Sequence, residues 1–509
     1  MRYKFQLTFC ICLLLCLMAT VCRAATYYID ARGGEDSNSG TSENAPWKTI
    51  AKINRWLFHP GDNILFKRGA TWREKLIPPS SGIAGKFITF GDYGTGHKPV
   101  VKGSDLITMW SKVDGAPELR MTIMHIKPCV VWEDNKALKI CHSMSAVKDS
   151  PGSFYWNAGK LYIRATSGCP GTNEKTYEAA QRTDSCRIEN KNYLVIKNLD
   201  FFQSGNKGGV GLRIVNDSNH IIISHCDFSQ ATDQHLAIWG DLPSNGHYTI
   251  SGCTFERSGL RHNPGSGSAI DVFSTGSNDI TVTGEYNTFT HVGENRAAPY
   301  LDHGIYFKSG RLLWRYNCHN DGGIFSGACV KISGTAKNGC KIYYNIFFAG
   351  RGSQPWGILS EAGSGHKIYN NVFYNVDIGI WQSGRNVPDA AGGYGIIIKN
   401  NVFHTAKKFF IRAAVATGLV SDYNVYFNGP ANPFQWGKNY YSFAKWKEKS
   451  GQDDHSVVAD PEFVQPVSGN FRLRDGSPCI KSGINVGLTR DFNKMTVSSR
   501  RVDIGAFGY

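Results

Sequence analysis

The chain has 509 residues, of which 41% are hydrophobic and 19% charged, and it carries a net charge of +15 at pH 7. After residue 24 no segment approaches the ~18 uninterrupted apolar residues of a membrane helix, which excludes a membrane-spanning mature protein. The cysteines beyond that point form no C-x-x-C pair, so a zinc site is not expected.

The first 24 residues have the pattern of a secretory signal. Arg2 and Lys4 precede the apolar run FCICLLLCLMATV, and the segment ends at Ala24. This predicts a removed signal peptide over 1–24 and a secreted or periplasmic protein. A basic protein outside the cytoplasm favours an anionic partner. We therefore expect an acidic polysaccharide or a charged surface rather than nucleic acid, unless the charge only maintains solubility.

Residues 25–104 begin with the strand TYYIDARGG and a polar loop. A short helix starting near Pro46 should place Ile50, Ile53 and Leu57 on one face. Strand-like runs follow, such as NILFK and FITFG. We interpret this region as a helical cap over the end of a solenoid, followed by its first coils.

Residues 105–185 depart from that rhythm and predict a β-rich insertion of short strands and hairpin turns. Trp132, Tyr155 and Trp156 could stack on sugar rings. The favoured interpretation is that they form the core of the insertion.

Residues 186–430 contain a repeat of short strands that end in Asn-x-aromatic. The units recur roughly every 23 to 34 residues, which is typical of a solenoid. Their aromatic or histidine markers are Phe201, Phe228, Phe255, Phe289, His319, Phe347, Phe373, Phe403 and Tyr426. Two residues earlier lie Asn287, Asn317, Asn345, Asn371, Asn401 and Asn424. Stacked coils would make them an asparagine ladder, preceded by Cys226 and Cys253, either as a reduced stack or as a disulfide.

These features resemble the right-handed parallel β-helix proteins of the pectate-lyase-like superfamily. The resemblance implies an all-β fold, a right-handed parallel β-helix. With the helical N-terminal cap and the small β-rich insertion inferred above, this completes the predicted fold class. Residues 431–509 resemble the C-terminal connector and capping segment of secreted β-helix proteins, through DPEF, GSP and DIGA.

Strand alternation indicates which side chains face outward. Ile305 and Phe307 should point into the core, whereas Asp271, Tyr306 and Lys331 should form one outward column. A second column should contain Lys308, Ser333 and Glu361. Such a wall suits β-elimination on a uronate polymer, which needs a carboxylate-neutralising group, a base and an acid. Solvated charges on a solenoid face are the alternative.

The segment IYFKSGRLLWRYNCHNDGGIFSGACVKISGTAKNGCKIYYNIFF resembles the chondroitinase B and alginate lyase group. The resemblance places Lys308 at the position of the base. Lys331 lies near the position of the acid, which is an arginine in that group. An alternative alignment places Ser333 at this position. The implied activity is a polysaccharide lyase.

Other residues are candidates for proton transfer or substrate binding. His303 beside Asp302 could be a proton shuttle, or a turn histidine bonded to the backbone. Arg213, Arg385 and Arg412 could clamp carboxylates or stabilise turns, and Trp381 could contact substrate. Asp271 and Glu361 could bind substrate or, with a neighbour, hold Ca²⁺; no other cofactor is indicated.

Two alternatives to a lyase remain open. A glycoside hydrolase would use Asp271 with Asp302 or Glu361, and a non-catalytic β-helix would bind glycans passively. An epimerase is a further enzymatic possibility. We expect a monomer.

Overall fold

The computed structural model describes residues 24–206, 208–260, 267–276, 279–293, 302–321, 327–350, 355–383, 394–500 and 502–509. Within these ranges the chain forms a parallel β-helix whose coils contribute strands to three sheets. The predicted fold class, an all-β parallel β-helix with an N-terminal helical cap and a small β-rich insertion, is confirmed. The predicted signal peptide, except for Ala24, lies outside the described residues.

The coils stack through parallel pairing in three sheets, named here sheets 1, 2 and 3. Sheet 1 consists of Asp184–Glu189, Val210–Val215, Gln234–Gly240, Ile270–Ser274, Ile305–Arg315, Ala328–Ala336, Trp356–Ser360, Ile378–Gln382, Phe409–Ala413, Phe434–Trp436 and the antiparallel Asn439–Tyr441. Sheet 2 consists of Thr26–Ile29, Asn63–Lys67, Ile88–Tyr93, Asn192–Lys197, Asn219–Ser224, His247–Ser251, Thr281–Glu285, the second half of Ile305–Arg315, Lys341–Tyr343, Lys367–Tyr369, Ile397–Lys399 and Val420–Asp422. Sheet 3 consists of Thr71–Trp72, Val100–Lys102, Asp200–Phe202, Asp227–Ser229, Thr254–Glu256, Thr288–Thr290, Cys318–Asp321, Ile346–Ala349, Val372–Tyr374, Val402–His404, Val425–Phe427 and Val457–Val458.

The interior is built from repeated positions of the sequence. Ile305 and Phe307 are fully buried, as predicted, and β-branched or aromatic residues occupy the equivalent positions of neighbouring coils. The nine predicted markers from Phe201 to Tyr426 form a continuous ring stack, with centroid distances from 4.3 to 5.3 Å. Sequence periodicity therefore predicts the column that fills the solenoid.

The asparagine ladder forms at the corner between sheets 2 and 3. From Asn317 onward, each ladder residue accepts through Oδ1 from the backbone N–H of the asparagine before it, for example from Asn345 N to Asn371 Oδ1 at 2.9 Å. Asn287, the first, accepts from Cys253 N. The residue before each asparagine, such as Tyr344 or Asn370, has a positive φ that turns the chain sharply. Cys226 and Cys253 extend this column without a disulfide.

The N-terminal helix spans Ile50–Arg55, and the side chain of Thr49 caps its first turn by accepting from Lys52 N. Ile50 and Ile53 are buried under it, as predicted. The placement of Leu57 on the same face is wrong, because the helix ends first and Leu57 is exposed.

The insertion contains two small sheets and the helix Met144–Lys148. One sheet consists of Ser104–Leu106, Val131–Glu133, Lys136–Ala137 and Tyr177–Ala180. The other consists of Ser111–Lys112, Arg120–Ile123, Lys139–Ile140, Ser153–Asn157 and Lys160–Arg164. Trp132 is fully buried against Val130, Ala180 and Leu260, which supports a core role rather than sugar stacking.

The C-terminal region has two parts with different positions. The helix Phe443–Ser450 closes the last coil, where Trp446 stacks on Phe434 at 5.0 Å. The following chain, with strands Phe463–Gln465 and Asn470–Leu473 around the 3₁₀ turn Pro466–Ser468, packs along the outside of sheet 3. The solenoid end is therefore covered by the helix and its flank by the last segment.

Candidate active site on sheet 1

The outward face of sheet 1 brings the predicted charged residues together. Asp271 pairs in register with Tyr306, and Tyr306 pairs with Lys331. These three side chains therefore form the first predicted column.

A β-bulge modifies the second predicted column. Phe307 pairs with Ile332 and Ser309 with Thr335, so Ser333 and Gly334 together face Lys308. Gly334 has φ +61°, and a Cβ there would approach Lys308 O at 2.8 Å. The bulge thus requires a glycine and turns Lys308 and Ser333 relative to a regular ladder.

Two ion pairs cross the coils at this site. Lys308 Nζ lies 3.2 Å from Asp271 Oδ1, and Lys331 Nζ lies 3.4 Å from Glu361 Oε2. Ser333 Oγ donates to the same Glu361 oxygen at 3.0 Å. Burial raises the pKa of Asp271, because loss of water outweighs the attraction of Lys308. The four charges form a neutral set.

Tyr306 lies between the two ion pairs. Lys308 Nζ and Lys331 Nζ lie 4.2 and 4.7 Å from its ring centroid. Burial raises the pKa of Tyr306, and Ser333 hydrogen-bonds its hydroxyl. The phenol therefore carries its proton at neutral pH, beside two cations that would stabilise it if it gave the proton away.

His303 has the backbone-bonded arrangement rather than the shuttle geometry. Its Nδ1 accepts from Ala328 N at 3.0 Å, and Asp302 Oδ1 instead accepts from Gly267 N. Burial lowers the pKa of His303 well below its usual value, with Lys331 adding to the effect. The imidazole is therefore neutral, and its edge contact with Tyr306 at 5.0 Å makes it a support for that ring.

The other predicted binding residues lie further along the axis. Arg213 is three coils from Tyr306 and donates from Nε to buried Asp184 at 2.7 Å. Trp381 lies two coils beyond Lys331, and the Arg412 guanidinium stacks on it at 4.1 Å. Arg385 lies outside the described residues.

Sequence reasoning missed two aromatic residues beside this site. Phe273 is 41% exposed and lies 5.4 Å from Lys308 Nζ, and Trp239 pairs with it on the previous coil. Extending the outward alternation of the Asp271 strand by two residues would have found Phe273. Together they give the site an apolar wall.

No group of three or more metal-binding side chains occurs among the described residues, and we derive no step through Ca²⁺. In the same ranges, no helix is long and apolar enough to cross a membrane.

Comparison with known proteins supports the fold. The structure of XylC in complex with xylose matches with a TM-score of 0.57 and 12% identity, covering 95% of this chain and 98% of that one. Pectate lyase Pel9A matches with a TM-score of 0.51 and 16% identity, covering 95% and 96%. The GH136 lacto-N-biosidase of Eubacterium ramulus matches with a TM-score of 0.50 and 14% identity, covering 86% and 67%. At these identities the likeness is one of fold.

The sequence comparisons are more limited. A lacto-N-biosidase of Bifidobacterium longum subsp. longum is 38% identical over 88 residues, which are 16% of this chain and 6% of that protein. No family model matches the chain.

Proposed function

We propose that this chain is a secreted carbohydrate-active enzyme that cleaves a uronic-acid-containing polysaccharide by β-elimination on the outward face of sheet 1. The observation that carries the proposal is Tyr306, a protonated phenol held between Lys308 and Lys331. Pectate lyase Pel9A, which shares the fold, and the overall basic charge add support.

The residues divide the proton transfers as follows. Lys331 neutralises the uronate carboxylate, which makes the C5 proton more acidic. Lys308 passes a proton to Asp271, its ion-pair partner at 3.2 Å, and the neutral amine then takes the C5 proton. The C5–H electron pair forms the C4=C5 double bond as the C4–O bond breaks.

Tyr306 completes the reaction by donating its proton to the leaving oxygen. The resulting phenolate lies beside the Lys308 and Lys331 ammonium groups, which stabilise its charge. Lys308 then returns a proton to Tyr306, and Asp271 returns one to Lys308. The starting protonation state is restored, and the catalytic cycle closes.

A glycoside hydrolase is the second candidate, favoured by Asp271, because a buried carboxyl with a raised pKa can act as a general acid. The second carboxylate is the difficulty. Glu361 is three coils away, about 14 Å along the axis, whereas hydrolases place their carboxylates roughly 5 to 9.5 Å apart. Asp302 is buried at a corner and bonded to Gly267.

A screen on pectate, alginate, chondroitin sulfate and hyaluronan tests the proposal. Elimination produces an unsaturated sugar that absorbs in the ultraviolet, together with a reducing end, whereas hydrolysis produces only the reducing end. We expect both signals, and Tyr306→Phe should lower them by about two to four orders of magnitude. Tyr440→Phe, at an exposed position on the same sheet, is the control. Reducing ends without absorbance would establish the hydrolase instead.

A further inference from the structure

A basic cluster lies at the start of sheet 1, defined by Lys75, Arg187 and Arg213 around the carboxylate of Asp184. Lys75 Nζ lies 3.2 Å, Arg187 Nη1 3.6 Å and Arg213 Nε 2.7 Å from its oxygens. The Asp184 side chain is only 2% exposed. One buried carboxylate therefore faces three cations.

The charges nearby leave this cluster positive. Glu189 accepts from Arg187 Nε at 2.8 Å and is the second acid present. Arg213 Nη2 donates to Gly208 O. Within the described ranges, Arg187 Nη2 and Arg213 Nη1 have no hydrogen-bond partner. The side chains of Lys75 and Arg187 are 28% and 31% exposed, so water reaches them.

The cluster lies on the same line as the candidate active site. Arg187 pairs with Arg213, and the column continues through Ala237 and Asp271 to Tyr306. Arg213 is three coils and Arg187 four coils from Tyr306, about 14 and 19 Å along the axis. Arg213 lies over the face of Trp239 at 4.9 Å. A polymer lying along the axis over Tyr306 would reach both arginines.

We propose that the basic cluster is a remote subsite that binds an anionic group, a carboxylate or a sulfate, on the same glycan several sugars from the cleaved bond. Guanidinium groups suit such oxyanions because their forked N–H donors match two oxygens. The proposal rests on the proposed function, since it takes the polymer to run along sheet 1. Its consequence is a preference for acidic chains long enough to span three to four coils.

Binding measurements on the full chain test the subsite without cleavage. The Tyr306→Phe protein is titrated by calorimetry with size-fractionated oligosaccharides of pectate, alginate, chondroitin sulfate and hyaluronan, and with neutral xylo-oligosaccharides. Lys75→Gln and Arg187→Gln are each added singly to the Tyr306→Phe protein. Arg311→Gln is the matched control, because Arg311 is 57% exposed and pairs with Asp279 away from the cluster. Melting temperatures verify that each variant is folded.

We expect each subsite variant to weaken binding of long acidic oligosaccharides about tenfold, the usual effect of one charged hydrogen bond. Binding of disaccharides and of neutral chains should not change. A loss of affinity confined to chondroitin sulfate would identify sulfate as the bound group. A loss of affinity for pectate or alginate would identify a carboxylate.

Two results would overturn the subsite. One is unchanged affinity of both variants for long acidic chains, and the other is an equal loss for disaccharides. Cleavage assays on the protein that retains Tyr306, with and without the subsite substitutions, distinguish failure of the subsite from failure of the proposed function. Elimination with no dependence on Lys75 or Arg187 refutes only the subsite, whereas length-dependent binding without elimination refutes only the activity.

Discussion

Lys308 has two roles at the residue scale, because it faces the proposed substrate and also neutralises a buried carboxylate. An outward lysine is expected to be dispensable for folding, but Asp271 is nearly inaccessible and lies 3.2 Å away. Removing Lys308 would leave that charge buried without its partner, which is costly. Stability and the proposed catalysis are therefore coupled at this position.

A double variant separates the two roles. Lys308→Ala should destabilise the fold by about 3 kcal/mol and lower turnover by about two to four orders of magnitude. Adding Asp271→Asn should recover the melting temperature but not the rate, because the buried charge is gone and the base is still missing. Lys445→Ala, from an exposed pair with Glu448, should change neither. Recovery of the rate in the double variant would remove Lys308 from the mechanism.

Asp200 is a second buried carboxyl, and it lies on sheet 3, away from the proposed site. It pairs in register with Asp227, and Lys98 and Lys102 are the cations that face the two. Burial, followed by repulsion from Asp227, raises the pKa of Asp200 to about 7. Because the unfolded value is about 3.9, stability from this group is complete below pH 4 and is lost as pH rises through 7.

Asp200→Asn should therefore raise the free energy of unfolding relative to the parent. This gain should grow between pH 4 and 7 and stay constant above pH 7, at up to roughly 4 kcal/mol. Urea unfolding of parent and variant at pH 4, 5.5, 7 and 8.5 measures the difference. Asp279→Asn, at a partly exposed aspartate, is the control variant. A pH-independent difference for Asp200→Asn would show that the carboxyl ionises normally.

At the element scale, the asparagine ladder ties each corner to the next coil. Asn345 accepts from Asn317 N and Nδ2, and its own Nδ2 donates to Trp314 O, Tyr343 O and Asn371 Oδ1. All these groups are removed from water. One side chain therefore satisfies several backbone groups that no other residue type of its size could serve.

Asn345→Ala should destabilise the protein by about 3 kcal/mol, because it leaves several buried donors and acceptors unpaired. Thermal and urea unfolding measure the loss. Asn439→Ala, at an exposed strand position of the last coils, is the matched control and should stay within about 0.5 kcal/mol of the parent. Equal effects at the two positions would mean that the ladder contributes no more than an exposed asparagine.

The sequence predicts those elements whose partners lie one coil away at a repeated position. The ring stack, the ladder and the Asp271–Tyr306–Lys331 column follow from periodicity alone, because parallel pairing aligns equivalent residues. The Lys308–Asp271 pair and the Arg213–Asp184 pair do not follow. They depend on a bulge and on side-chain directions that no period encodes. The Leu57 prediction fails because the helix ends at Arg55, two residues earlier than its apolar spacing indicates.

At the scale of the whole molecule, the three faces of the solenoid have different surroundings. On sheet 3 the outward column changes from Asp200, Asp227 and Thr254 to apolar residues, and the C-terminal segment covers that apolar half. The covered stripe contains Ile346, Val372, Val402 and Val425, packed against Phe463, Phe471 and Ile504. The proposed active site on sheet 1 is outside this cover, so the proposed chemistry and the packing of the last segment lie on separate faces.

The cover should be required for a stable, non-aggregating solenoid. Phe471 is 1% exposed and contacts Phe348 and Tyr374 beside the stripe, so Phe471→Asp should lower stability by roughly 3–5 kcal/mol and expose an apolar strand face. Val467→Asp makes the same charge change four residues from both Phe463 and Phe471, at a side chain that is 71% exposed, and should be nearly neutral. Melting temperature and light scattering on heating measure both effects. If the two variants have the same melting temperature and the same light scattering on heating, the C-terminal segment does not stabilise the solenoid, and the stripe on sheet 3 is stable without it.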